Sequence, residues 1–134
     1  MPYVLSAKHG VELTGLQPGG LAIVGALTRA AAACQTDLVI TCGREGHLPA
    51  DPHSRGDALD VSVHGMSPAL VVQVKAFLEQ ILTDAFTVLY ETPEKPPDPQ
   101  LAPIAYVNSG ASAPHFHIQV RKGTAWPPAN TLNA

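Results

Sequence analysis

Apolar residues recur at helical spacing in two segments of the chain. The first segment runs from Pro18 to about Gln35, and an early proline suits the first turn of a helix, where its missing N–H group has no intrahelical partner. The second follows Ser67 and Pro68, a good N-cap and a good first helical residue, and continues to about Leu82. The spacing predicts two amphipathic helices, with apolar stripes at Leu21, Val24, Leu27, Ala31 and Cys34 and at Leu70, Val71, Val74, Phe77, Leu78 and Ile81.

Short β-rich segments separate and follow these helices. Strands are predicted at 37–42, 58–63, 85–91, 104–107 and 115–121, and an edge strand or extended arm is predicted within the first 15 residues. Successive side chains of a strand point to opposite sides, so one face of two of these strands is aliphatic while the other carries Asp60, His115 and His117. Clustered prolines and glycines predict loops at 43–52 and 92–103.

These elements predict a single α+β domain over residues 1–134. We expect a mostly antiparallel sheet with the two helices packed on one face. If the aliphatic faces of the strands meet the helices, the polar faces line a cleft on the open side. A metal cleft is therefore expected on the face of the sheet opposite the helices.

Composition narrows the classes of partner. The formal net charge is -3 and no block of basic residues occurs, which disfavours a nucleic-acid partner. No run approaches the roughly 20 apolar residues of a membrane-spanning helix, so no membrane partner is expected. Cys34 and Cys42 do not make a disulfide framework, and we expect both to be small buried hydrophobic residues. We expect a monomer.

Three residues have the chemistry of a catalytic zinc site. His53 lies at the end of a loop, Asp60 lies in the strand that follows, and His117 lies on the polar face of the last strand. Zinc held by two imidazoles and one carboxylate keeps a fourth position for water and lowers the pKa of that water to about 7. The resulting nucleophile can attack a peptide carbonyl at neutral pH. Zn²⁺ is therefore the expected cofactor.

Motifs in the chain resemble a known family. The segment from His53 to Asp60 matches the H-x-x-G-x-A-x-D signature of the zinc D-Ala-D-Ala carboxypeptidase family, part of the lysostaphin/D-Ala-D-Ala/hedgehog-like group of metallopeptidases. The pair His115-x-His117 matches the second motif of that group, and the stretch from Ile40 to Arg44 resembles its I-T-S-G-x-R segment. Asp51 departs from the pattern, since a serine usually stands there.

The resemblance implies a zinc peptidase acting on D-Ala-containing peptides of peptidoglycan, with a stem peptide or related small peptide as partner. It implies that His53, Asp60 and His117 bind zinc and that Arg44 binds a substrate carboxylate. Many relatives have a glutamate as general base three residues before the last ligand, where this chain has Pro114. His115 would therefore act as general base and acid, as in members with the H-x-H motif, or would stabilise the tetrahedral intermediate.

Other interpretations of the same residues stay open. The protein could be a non-catalytic, zinc-stabilised binding module of the same fold, or a zinc amidase on another peptide. His115 could be a surface or outer-shell histidine, and Arg44 an ordinary loop cation. Glu91 ends a strand and could approach the cleft. The N-terminus shows no signal peptide, so we expect synthesis in the cytoplasm. Action at the cell wall would then need a phage- or prophage-type release, an injection device or a removed leader, and an intracellular role on recycled peptides is the alternative.

Overall fold

The helices and strands lie close to their predicted positions. The computed structural model describes residues 2–45, 51–124 and 126–127, so residues 46–50 of the predicted loop lie outside the described part. The helices are α1 (Pro18–Cys34) and α2 (Pro68–Leu82). The strands are β1 (Leu5–Ala7), β2 (Leu38–Cys42), β3 (Ala58–Ser62), β4 (Phe86–Thr92), β5 (Ala105–Val107) and β6 (His115–Val120). Ser67 caps α2, since its hydroxyl accepts a hydrogen bond from the backbone N–H of Leu70 at 3.2 Å.

The strands form one mixed sheet with the order β1-β2-β3-β6-β4-β5. The inner pairs β2–β3, β3–β6 and β6–β4 are antiparallel, whereas the edge strands β1 and β5 run parallel to their neighbours. The α+β class is confirmed, and the expectation of a mostly antiparallel sheet needs correction at both edges. Helix α1 carries the chain back between β1 and β2, and the proline-rich loop does the same between β4 and β5, so each pair runs in one direction.

One face of the sheet and both helices enclose the core. Leu59, Val61, Phe116 and Ile118 from the central strands are fully buried there. Both helices contribute buried residues to the same hydrophobic cluster, which comprises Ile23, Ala26, Leu27, Ala30, Ala31 and Cys34 from α1 and Val71, Val74, Leu78 and Leu82 from α2. The opposite face of the sheet, called the open face below, carries Asp60, His115 and His117, each only partly buried.

The buried face of α1 differs from the predicted stripe. Leu21 is 59% exposed, whereas Ile23 is fully buried. The cause is Gly20, whose missing side chain lets the helix approach the backbone of Gly56, where a Cβ atom would overlap the Gly56 carbonyl oxygen. This contact fixes the rotation of the helix about its axis and turns Leu21 to the surface.

Neither helix has the length and apolar character needed to cross a membrane, among the residues that the structure describes.

Candidate metal centre

His53 lies on a tightly hydrogen-bonded turn, residues 51–57, called the ligand loop below. The backbone N–H of His53 donates to the Asp51 carboxylate at 2.8 Å, and the N–H of Gly56 donates to the His53 carbonyl at 3.0 Å. Asp51, which departs from the family pattern, thus closes a side-chain-to-backbone turn ahead of His53. Gly56 has a φ of 80°, a conformation that favours glycine, and its carbonyl accepts a hydrogen bond from Gln17 at 3.1 Å. The His53 side chain is only 4% exposed.

Antiparallel pairing places the other predicted ligands side by side. Asp60 in β3 stands directly opposite His117 in β6, and both face the open side. His115, two residues earlier, stands opposite Ser62 of β3 on one side and Glu91 of β4 on the other. Directly opposed side chains on one face are close neighbours. The register therefore gathers His115, Asp60, His117 and Glu91 on one patch of the sheet.

The donor atoms of His53, Asp60 and His117 converge on one point. His117 Nδ1 and Asp60 Oδ1 are 2.9 Å apart, His53 Nε2 and His117 Nδ1 are 3.2 Å apart, and His53 Nε2 and Asp60 Oδ1 are 3.3 Å apart. Zinc–ligand bonds of about 2.0–2.2 Å in a tetrahedron place neighbouring donors roughly 3.3 Å from each other. The three separations come close to that value, so these residues fit a zinc ion. We call the three residues the ligand group.

Outer hydrogen bonds orient both histidines of the ligand group. His53 Nδ1 lies 3.2 Å from the Gly43 carbonyl, and His117 Nε2 lies 2.7 Å from Gln119 Oε1. When these outer nitrogens carry the proton, the inner nitrogens of the neutral rings are acceptors, like the Asp60 oxygen that they face. Three acceptors in contact need a cation or a shared proton between them. Such outer partners are typical of metal-binding histidines.

The charges of the group are coupled through Asp60. Burial acts to raise the pKa of the Asp60 carboxyl, but hydrogen bonds to His117 and His53 and their charges hold it well below its usual range. Burial acts to lower the pKa of His117, yet its hydrogen bonds to Asp60 and Gln119 raise it above its ordinary value. Asp60 thus stays ionised at neutral pH and attracts a positive charge to this point.

Cys42 joins this neighbourhood unexpectedly. Its thiol, His53 and Asp60 offer donor atoms within 4.8 Å of one another and form a group that could hold a metal ion. An irregularity between Ile40 and Cys42 shifts the register of β2, so Cys42 pairs with Asp60 and shares its face. Cys34 is buried as expected, whereas Cys42 is only partly buried. Burial, followed by the charges of Asp60 and Glu45, raises the pKa of the Cys42 thiol to about 12.

His115 and Glu91 adjoin the ligand group. His115 Nε2 is 3.9 Å from Asp60 Oδ1 and 3.4 Å from Glu91 Oε1. Glu91 is 8% exposed, and its Oε1 atom is also 4.0 Å from His117 Nδ1. The sequence indicated only that Glu91 could approach the cleft. Its place in the cluster follows from the β4–β6 register.

Arg44 ties the ligand loop to the segment before α1. Its Nε atom donates to the Ser54 carbonyl at 3.1 Å, and Nη1 donates to the Thr14 carbonyl at 2.7 Å. Glu12 Oε1 lies 4.0 Å from Nη1. Through these contacts Arg44 stabilises the position of the ligand loop, which carries His53. Its binding of a substrate carboxylate stays a prediction.

A cleft of about 370 Å³ opens beside the cluster on the open face. Asp60 and His115 line it together with Lys8, Thr41, Cys42, Ser62 and the segment 112–114. Lys8 thus provides a positive charge on the wall of the cleft, while Arg44 lines a different depression with Ser54 and Asp57.

Comparisons with known proteins do not identify a relative: no family model, no curated protein and no solved structure matches this chain.

Proposed function

We propose that this protein is a zinc-dependent peptidase that hydrolyses peptidoglycan-type peptides containing D-Ala. The observation that supports it most directly is the convergence of His53, Asp60 and His117, whose donor atoms lie 2.9–3.3 Å apart. Two imidazoles and one carboxylate are a known ligand set of catalytic zinc sites. The choice of substrate rests on the resemblance of the sequence motifs.

His53, Asp60 and His117 would hold the ion. A zinc ion bound there would supply Lewis-acid chemistry, polarising a peptide carbonyl and making a water molecule nucleophilic at neutral pH. The residues of the ligand group contribute orientation, since each histidine is fixed by an outer hydrogen bond. Of the three, Asp60 lies in the wall of the open cleft, which leaves room for a peptide beside the ligand group.

His115 is the residue best placed to move a proton. Its Nδ1 atom lies 2.9 Å from the Ala113 carbonyl and donates to it when protonated, which leaves Nε2 directed toward Asp60 and Glu91. In that tautomer Nε2 accepts a proton from the attacking water and returns it to the leaving amine. A substrate carboxylate would meet a cation at Lys8, on the same cleft, or at Arg44.

Peptide cleavage by the zinc-loaded protein tests the proposal. Synthetic stem peptides ending in D-Ala-D-Ala are incubated with the protein, and products are identified by mass spectrometry. We expect release of D-Ala or cleavage within the stem, loss of cleavage with a chelator, and its return on adding zinc. The same peptide with L-Ala in both positions is the control. Zinc-loaded protein that cleaves neither this series nor intact muropeptides would contradict the proposal.

A second candidate function, a non-catalytic zinc-stabilised binding module, is favoured by Cys42. A fourth protein ligand from Cys42 would close the coordination sphere, as in structural zinc sites, and would leave no position for water. The two functions therefore predict different ligand sets.

Replacement of Cys42 with serine separates these candidates. For the peptidase, we expect Cys42→Ser to keep one zinc per chain and to lower turnover by no more than about 100-fold, as for a neighbour of the ligands. The cobalt-loaded wild-type protein should then lack a near-ultraviolet thiolate-to-cobalt charge-transfer band. Such a band, lost in Cys42→Ser, would favour the closed site. Cys34 is present in both proteins, so any contribution of this buried thiol to the spectrum is the same in each.

A further inference from the structure

A buried carboxylate, Glu91, stands on the open face without a task in the mechanism described so far. It is 8% exposed and belongs to β4, directly opposite His115 of β6. Burying a carboxylate is unfavourable unless hydrogen bonds or charges compensate for the lost water. The contacts of its two carboxylate oxygens therefore indicate what compensates for its burial and what the residue does.

One oxygen of Glu91 is fixed by Asn108. Asn108 Nδ2 donates to Glu91 Oε2 at 2.8 Å. Asn108 is itself held, because its backbone N–H donates to the Thr92 carbonyl at 2.8 Å and its Oδ1 atom accepts from Gly110 at 3.0 Å. The carboxylate thus has a defined orientation.

The other oxygen faces His115. Glu91 Oε1 lies 3.4 Å from His115 Nε2, while the opposite ring nitrogen of His115 lies 2.9 Å from the Ala113 carbonyl. Once Nε2 has taken the proton from water, its N–H faces Glu91 Oε1 while Nδ1–H donates to the Ala113 carbonyl, so the ring lies between the backbone of its own strand end and the carboxylate of β4. That arrangement keeps Nε2 3.9 Å from Asp60 Oδ1, beside the ligand group.

We infer that Glu91 is a positioning residue, held by Asn108, that keeps the imidazole of His115 directed at the reacting groups. The inference rests on the proposed peptidase function and deepens it. The carboxylate reaches the site from β4, a strand outside both sequence motifs. A small displacement of a catalytic group, of roughly 1 Å, can cost about 100-fold in rate, so the loss of this contact should be measurable.

The kinetic test compares Glu91→Ala with Glu91→Gln in the zinc-loaded protein. We expect Glu91→Ala to lower kcat by about 100-fold with little change in KM, because the ring is released while substrate binding remains. Glu91→Gln keeps an acceptor beside the ring and should recover part of kcat. Asn108→Ala removes the hydrogen bond to Oε2 but keeps the carboxylate, so its kcat should lie between those of Glu91→Ala and Glu91→Gln. It replaces Glu91→Ala in the comparison if that variant does not fold. Glu94→Gln, an exposed change nearby, is the matched control.

Two readouts are independent of turnover. Zinc content should stay at one ion per chain in every variant. Long-range ¹H–¹⁵N spectra of the imidazoles should show the His115 signals displaced in Glu91→Ala, with those of His53 little changed. Wild-type kcat in Glu91→Ala, or zinc loss in proportion to lost activity, would overturn the inference. A wild-type protein that binds zinc but cleaves no peptide would contradict the proposed function, and the spectra would still decide whether Glu91 holds His115.

Discussion

Replacement of His117 with alanine should reduce bound zinc from one ion per chain to nearly none and reduce peptide hydrolysis to background. His117 Nδ1 is within 3.2 Å of both other donor atoms, so its removal opens one side of the ligand group. Loss of an outer partner of a metal ligand typically costs about 10–100-fold in affinity, and loss of the ligand itself should cost more. Elemental mass spectrometry after dialysis and peptide assays measure the two effects.

His115→Ala provides the matched comparison on the same strand. It should keep the zinc ion and lower kcat by roughly 10²–10⁴-fold, the usual contribution of a general acid–base residue. His64→Ala, at an exposed position, controls for the loss of an imidazole and should change neither the zinc content nor kcat. If His117→Ala kept its zinc, the ligand set of Cys42, His53 and Asp60 would replace the one proposed, and full activity in that variant would exclude the mechanism.

Replacement of Gly20 with alanine should destabilise the protein by about 1–3 kcal/mol, the usual cost of inserting an atom into a filled space. A Cβ atom at Gly20 would overlap the carbonyl oxygen of Gly56, which is backbone and cannot rotate away. The start of α1 or the ligand loop would have to move. Urea denaturation of the metal-free protein measures the change in the free energy of unfolding without a contribution from bound zinc.

Gly25→Ala is the matched control because the same helix carries both glycines. A Cβ atom at Gly25 meets nothing within 4 Å, so alanine there should stabilise the helix by about 0.5–1 kcal/mol. The two substitutions are chemically identical and should differ in sign. A stabilised Gly20→Ala variant would show that the contact between α1 and the ligand loop is looser than described.

Local patterns predicted the elements and the shared face of the candidate ligands. The alternation along β3 and β6 separates Asp60 and His117 from the aliphatic residues of their strands. Burial of both aliphatic faces against the helices then places the two residues on one side of the sheet. The spacing around α1 was less informative. Its apolar residues permit more than one buried stripe, and the choice was made by Gly20 packing against Gly56, a contact between distant segments.

Cys42 and Glu91 could not be assigned from sequence for a related reason. Cys42 shares the face of Asp60 only because the register of β2 is irregular next to it. Glu91 meets His115 only because β4 is the neighbour of β6 in the strand order. Strand order and register depend on tertiary packing, so the periodicity within a single segment does not predict them.

The two edge strands bear on how the protein behaves at high concentration. Tyr3 and Val4, just before β1, and Tyr106 and Val107 of β5 are among the exposed large apolar side chains. An apolar sheet edge is a template for pairing with another chain, but β1 and β5 are each only 3 residues long. Short edges offer few unpaired backbone groups, which limits edge-to-edge aggregation. Engineered extensions of either strand would remove that protection and should lower solubility.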